Sequence, residues 1–72
     1  MSNLANANSR AKVIRALRRF GFIERQGGRH TIMEHPDGRF TTIPRHSRIN
    51  PLTLKAILKQ CGIGPEDFLR QY

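Results

Sequence analysis

The chain has 72 residues, one cysteine and a formal charge of +8, from 13 Lys+Arg against 5 Asp+Glu. That length supports one small domain with a modest core, and the lone cysteine excludes an internal disulfide. No apolar run approaches the about 20 residues that span a bilayer, and the polar start "MSNLANANSR" lacks the apolar core of a signal peptide. With Cys61 placed on an apolar stripe, a reducing compartment, the cytosol, is the expected location. Ten of the 13 cations are arginine, whose planar fork suits phosphate and stacks on bases. The charge therefore points first to a nucleic acid, with an acidic protein partner as the other fitting polyanion. A membrane surface fits poorly, because neither amphipathic helix carries tryptophan or a wide apolar face.

Residues 1–8, rich in Asn and Ala, read as a flexible start, and 9–72 as a single domain. Ser9 is a natural N-cap for a first helix over residues 9–20. Val13, Ile14, Leu17 and Phe20 share one side at helical spacing, Lys12, Arg15, Arg18 and Arg19 take the other, and Gly21 closes the helix. Three short β runs follow. "FIERQ" ends at Gly27-Gly28, "RHTIMEH" at Pro36-Asp37-Gly38, and "RFTTIP" at Pro44, which cannot donate to a ladder. Glycine turns between such runs predict a three-stranded meander. Its register stays open, because the adjacent Ile32 and Met33 cannot both face the core without a bulge.

After the polar loop "RHSRINP", Asn50 caps a second helix with Pro51 at its first position. Leu54, Ile57, Leu58 and Cys61 form its stripe, Lys55 and Lys59 lie outside it, and Gly62 ends it. Pro65-Glu66-Asp67 opens one more helical turn, which closes with Phe68 and Leu69. The fold class is α+β. The order α-β-β-β-α is that of the double-stranded RNA-binding domain, a three-stranded antiparallel sheet with both helices on one face and the other face open.

Three histidines carry the available chemistry: His30, His35 and His46. Their spacing with Glu34 and Asp37 matches no metal-ligand pattern. No acidic pair suits two-metal phosphodiester chemistry, and Gly27-Gly28 is not followed by the Lys-Ser/Thr of a P-loop. No metal or other cofactor is therefore expected. Histidine alone exchanges a proton near neutral pH, and RNA brings its own nucleophile in the 2′-hydroxyl. One histidine with nearby arginines would then suffice for cleavage. The alternatives are a module that binds structured RNA without cutting it, and a basic protein that binds an acidic polypeptide. His35 reads as a solvated hairpin residue, and Glu24 as the partner of an arginine.

"FGFIERQGGRH" followed by "EHPDGRFTTIPRHSRINPLTLKAILKQCGI" resembles the HicA toxin family, the small mRNA interferases of toxin–antitoxin modules. The resemblance spans about residues 10–69. It is carried by the helix before Gly21-Phe22, the Gly28 to His30 turn, the His35 to Gly38 hairpin, Pro44 with His46, and the Leu54 to Gly62 helix. It implies ribonuclease activity on mRNA and neutralisation by a HicB-type antitoxin. The family's catalytic histidine follows a glycine turn, commonly as Gly-Ser-His, and falls here on His30, after Gly28-Arg29. Arg29 in place of the serine either binds phosphate or is tolerated on an exposed edge. His46 matches a position often histidine in the family, as an auxiliary proton-transfer group or as loop packing. Contacts to RNA are expected from Gly28, Arg29, Arg15, Arg18, Arg19, Arg45, Lys55 and Lys59.

Overall fold

The computed structural model describes residues 4–72. The order is α1 (Arg10–Arg19), β1 (Ile23–Gly27), β2 (His30–Glu34), β3 (Phe40–Ile43), α2 (Pro51–Cys61) and α3 (Pro65–Gln71). All three strands are antiparallel and the sheet order is β1-β2-β3, so β2 is central. This is the expected α-β-β-β-α arrangement with a short tail helix.

Local chemistry sets the ends of the elements. The Ser9 side chain accepts from the Lys12 backbone amide, and Asn50 Oδ1 accepts from the Leu52 amide at 2.8 Å with Pro51 behind it. Gly62 takes the left-handed conformation that ends α2 at φ +68°, where a side chain would be strained. On α1, Val13, Ile14, Ala16 and Leu17 are buried while Lys12, Arg15, Arg18 and Arg19 are exposed. On α2, the expected stripe of Leu54, Ile57, Leu58 and Cys61 is buried in full. α1 packs beside β1 and α2 beside β3, and α3 lies across both helices with Phe68 wholly buried. Tyr72 Oη accepts from the Ser9 amide at 3.0 Å, which ties the last residue to the cap of the first helix.

Of the segment set apart as flexible, residues 1–3 lie outside the described residues. Residues 4–8 pack onto the domain: Ala7 is buried, Leu4 touches the core, and the Ile49 amide donates to the Asn8 carbonyl at 2.8 Å.

The register closes the question left by Ile32 and Met33 without a bulge. Met33 and Thr31 face the helices on β2, as do Thr41 and Ile43 on β3, and all four are buried. Two threonines thus occupy core positions. Each is satisfied by a distant residue: Thr31 Oγ1 accepts from Arg10, and the Thr41 hydroxyl donates to Gln60 Oε1 at 2.5 Å. Burying a hydroxyl without such a partner costs about 1–3 kcal/mol, so these long-range bonds make the register tenable.

Candidate active site and nucleic-acid interface

The open face of the sheet is a small grid, since opposed residues on neighbouring strands share a face. One row holds Ile23, Glu34 and Phe40 across the three strands, and the next holds Arg25, Ile32 and Thr42. In the third row Gly27 pairs with His30, the first residue of β2. Pro44, one residue beyond Ile43 opposite Thr31, completes that row by continuing the register.

The turn that precedes His30 explains the glycine. Gly27 ends β1, and Gly28-Arg29 make a two-residue reversal with Gly28 at φ +61°, while among the described residues none but glycine has positive φ. Positive φ at the first turn position alone is the pattern of a type II′ turn, which follows the natural twist of a hairpin. His30 is therefore held on the central strand immediately after a tight turn, exposed and with no side-chain hydrogen bond or ion pair to any described residue. Arg29 is exposed at the turn itself.

β3 leaves the sheet beside His30, so the loop carrying Arg45 and His46, both exposed, departs from the same end. That loop is anchored from below. Arg10 Nε donates to the Pro44 carbonyl at 2.9 Å while its Nη2 reaches Thr31, and the Arg10 amide donates to the Ser47 carbonyl at 3.1 Å.

The residues expected to contact RNA fall into two groups. Gly28, Arg29 and Arg45 share the His30 end of the sheet. Arg15, Arg18 and Arg19 on α1 and Lys55 and Lys59 on α2 are exposed on the helical layer, behind the sheet. Arg18 is further committed to Glu24 in an ion pair, the role expected for that acid, and Arg19 reaches the Gln71 carbonyl at 3.5 Å. One cation on the grid is absent from the residues expected to contact RNA. Arg25 stands one row from His30, paired with Glu34 at 2.7 Å. Counting back from a two-residue turn, which fixes Gly27 opposite His30, would have found it.

His35 differs from the expectation of a solvated residue. Its side chain is 23% exposed, and its ring meets Phe22 edge-on with centroids 5.1 Å apart. Nδ1 lies 3.1 Å from the Asp37 amide and 3.0 Å from Asp37 Oδ1, an acceptor for the first when neutral and a donor to the second when protonated. A Cβ at Gly21 would come within 2.9 Å of His35 Nε2, so the imidazole fills the space that this glycine leaves. His35 is thus a packing residue joining the hairpin to the end of α1.

Arg39 supports the same corner. Its guanidinium bonds Asp37 at 2.8 Å, donates to the Cys61 carbonyl at the end of α2, and lies 5.4 Å from the Phe22 ring centre. The Arg39 backbone amide, with the guanidinium beside it, holds the Asp37 carboxyl below its ordinary range. Burial pushes the Cys61 thiol up to about 11, which keeps it protonated and unreactive. Among the described residues no three His, Cys, Asp or Glu side chains converge as metal ligands, and no helix is long and apolar enough to cross a membrane.

No curated protein matches the chain. A family model, described as the HicA toxin of bacterial toxin–antitoxin modules, matches residues 10–63, from the first residue of α1 to just beyond α2. The match takes in the whole sheet with His30 and its turn, and it covers well over half of the sequence: the chain belongs to the HicA toxin family.

Proposed function

We propose that this toxin is a ribonuclease acting on mRNA, with His30 as its general acid and base, and that a HicB-type antitoxin silences it by covering the open sheet face. One observation carries the assignment: of the two histidines that flank β2, His35 is fixed by packing, whereas His30 projects from the central strand with its imidazole unengaged by any described residue. Its neighbours suit a phosphodiester. Arg29 and Arg45 lie at the same end, and one row away Arg25 neutralises Glu34, so an RNA strand laid on this face meets positive charge beside a proton-transfer group.

The chemistry needs nothing further from the chain. His30 takes the proton from the 2′-hydroxyl, whose oxygen attacks the adjacent phosphorus. The bond from phosphorus to the 5′-oxygen breaks, and the protonated imidazole returns the proton to that oxygen. The products are a 2′,3′-cyclic phosphate and a free 5′-hydroxyl. The flanking guanidinium groups stabilise the charge that builds on the phosphoryl oxygens in the transition state. Arg15, Arg19, Lys55 and Lys59, behind the sheet, draw RNA to the molecule over a Debye length. His46 is exposed in the loop whose Pro44 carbonyl is tied to Arg10, at the same end of the sheet as His30.

The test is an oligonucleotide incubated in excess chelator, beside a copy with one 2′-deoxy sugar at the scissile position. The expected result is unchanged cutting with chelator and none at the deoxy position. Equal cutting of the deoxy copy, or activity that vanishes with chelator and returns with magnesium, would refute this mechanism.

A further inference from the structure

Phe40 has no part in that chemistry, yet it stands 59% exposed on the same open face. It lies opposite Glu34, four residues along β2 from His30. At about 3.3 Å per residue, that places it roughly 13 Å from the reacting end of the face. Its side is the edge of β3, where Phe40, Thr42 and Gln60 with Gly38 and Arg39 line a shallow cleft of about 390 Å³. The polar groups there are already oriented. Gln60 Oε1 accepts the Thr41 hydroxyl, which leaves the Gln60 amide N–H groups as donors, and the Thr42 side chain is exposed.

An exposed aromatic ring on an open sheet, backed by hydrogen-bonding groups and cations, is how a single-stranded base is held: the ring stacks and the amide reads an edge. Charge favours the same occupant. Arg25 is paired with Glu34 and so cancels the carboxylate opposite Phe40, Arg39 at the cleft does the same for Asp37, and the chain as a whole carries +8. We propose, on the ribonuclease reading, that this cleft is a base subsite for single-stranded RNA: Phe40 stacks on a nucleobase about two nucleotides from the phosphate at His30, and Gln60 and Thr42 select among bases. The subsite would give the toxin a sequence preference set away from the reacting atoms.

The test measures binding of fluorescein-labelled single-stranded RNA oligonucleotides of mixed sequence to the chain carrying His30→Ala, with and without a second change at residue 40. Stacking contributes about 1–3 kcal/mol per base, so Phe40→Ala should weaken binding roughly 5- to 150-fold at tenfold per 1.4 kcal/mol. Phe40→Tyr should keep the affinity and Phe40→Leu should not. Removing one base from the oligonucleotide should abolish the effect of Phe40→Ala at a single position only. Gln60→Ala should flatten the base preference there. Thermal melts should stay within a few degrees, because the ring is exposed. If RNA binds and Phe40→Ala changes nothing, the subsite is wrong while the ribonuclease assignment stands. If Leu serves as well as Phe, or if Phe40→Ala weakens only capture of the antitoxin, the face is an apolar protein-docking patch and the subsite is again wrong. If no RNA binds at all, both fall.

Discussion

Arg10 should be the most consequential arginine for stability, although it begins an amphipathic helix and looks like a surface charge. Its guanidinium spans two elements, donating to the Pro44 carbonyl at 2.9 Å and to Thr31 Oγ1. Thr31 is 2% exposed, so water cannot take the place of a lost donor there. Arg10→Ala leaves that hydroxyl unsatisfied, at about 1–3 kcal/mol, and removes a charge-assisted bond to a half-buried carbonyl that solvent replaces only in part. A total of about 2–3 kcal/mol is expected. For a domain whose whole stability is on the order of 0.05–0.15 kcal/mol per residue, this is a large share. At about 4–8 °C per kcal/mol for this size, Tm should fall by roughly 10–20 °C in a circular dichroism melt. Thr31→Val, which removes the hydroxyl at constant shape, should cost less than Arg10→Ala. The double variant should recover part of the loss, because no orphaned hydroxyl remains. A drop of less than about 2 °C for Arg10→Ala, or strict additivity in the double variant, would show that the bond to Thr31 does not hold the register.

Four other outcomes are expected. His30→Ala should reduce RNA cleavage by about 10²–10⁴ while leaving the melt unchanged, and His46→Ala should act far more weakly; a cleavage gel showing the reverse would make His46 the proton carrier. RNA affinity should fall with salt, and Arg29→Ala and Arg45→Ala should each make the log–log slope shallower by roughly 0.7, which fluorescence anisotropy across a salt series would measure. Expression of the chain alone should arrest growth and expression with its antitoxin should restore it, in plate assays, with His30 protected from solvent labelling in the complex. The depressed Asp37 carboxyl should stabilise the fold above the ordinary carboxylate range, with that stabilisation lost as pH falls through its lower folded pKa. Asp37→Asn should therefore flatten the acid limb of a stability–pH curve, and an unchanged limb would show the Arg39 contacts to be without thermodynamic effect.

The helices are legible in the sequence because what specifies them is local. Ser9, Asn50, Pro51 and Gly62 act within one turn of where they stand, and the stripes of α1 and α2 need only their own spacing. Sheet orientation is not legible, since "HTIME" and "FTTI" place threonines on the buried face, against the usual alternation. What makes that possible is Arg10 and Gln60, 21 and 19 residues away in sequence. His35 differs from its expectation for a similar reason: its partners Phe22 and Gly21 belong to a different part of the chain. For the candidate site, the turn and His30 stand out in the sequence. Arg25, Thr42 and Phe40 do not, because their common face with His30 exists only once the register is set.

The arginines show how one residue type serves two ends in so small a domain. Arg10 and Arg39 both donate to backbone carbonyls where chain segments end, at Pro44 and Cys61. Four of the five acids are taken up by Arg18, Arg25, Arg39 and Arg70. The surplus positive charge therefore comes from the remaining cations, among them Arg10 as well as Arg15, Arg29, Lys55 and Lys59. Because a guanidinium stays charged at any pH of interest and forks toward two acceptors, the scaffold can use it where a small core lacks apolar area. It follows that swapping arginines for lysines should not act uniformly. Arg10→Lys and Arg39→Lys lose one of two directed bonds and should destabilise the fold, whereas Arg29→Lys keeps its charge at an exposed turn and should leave the melt untouched, altering only how RNA is held.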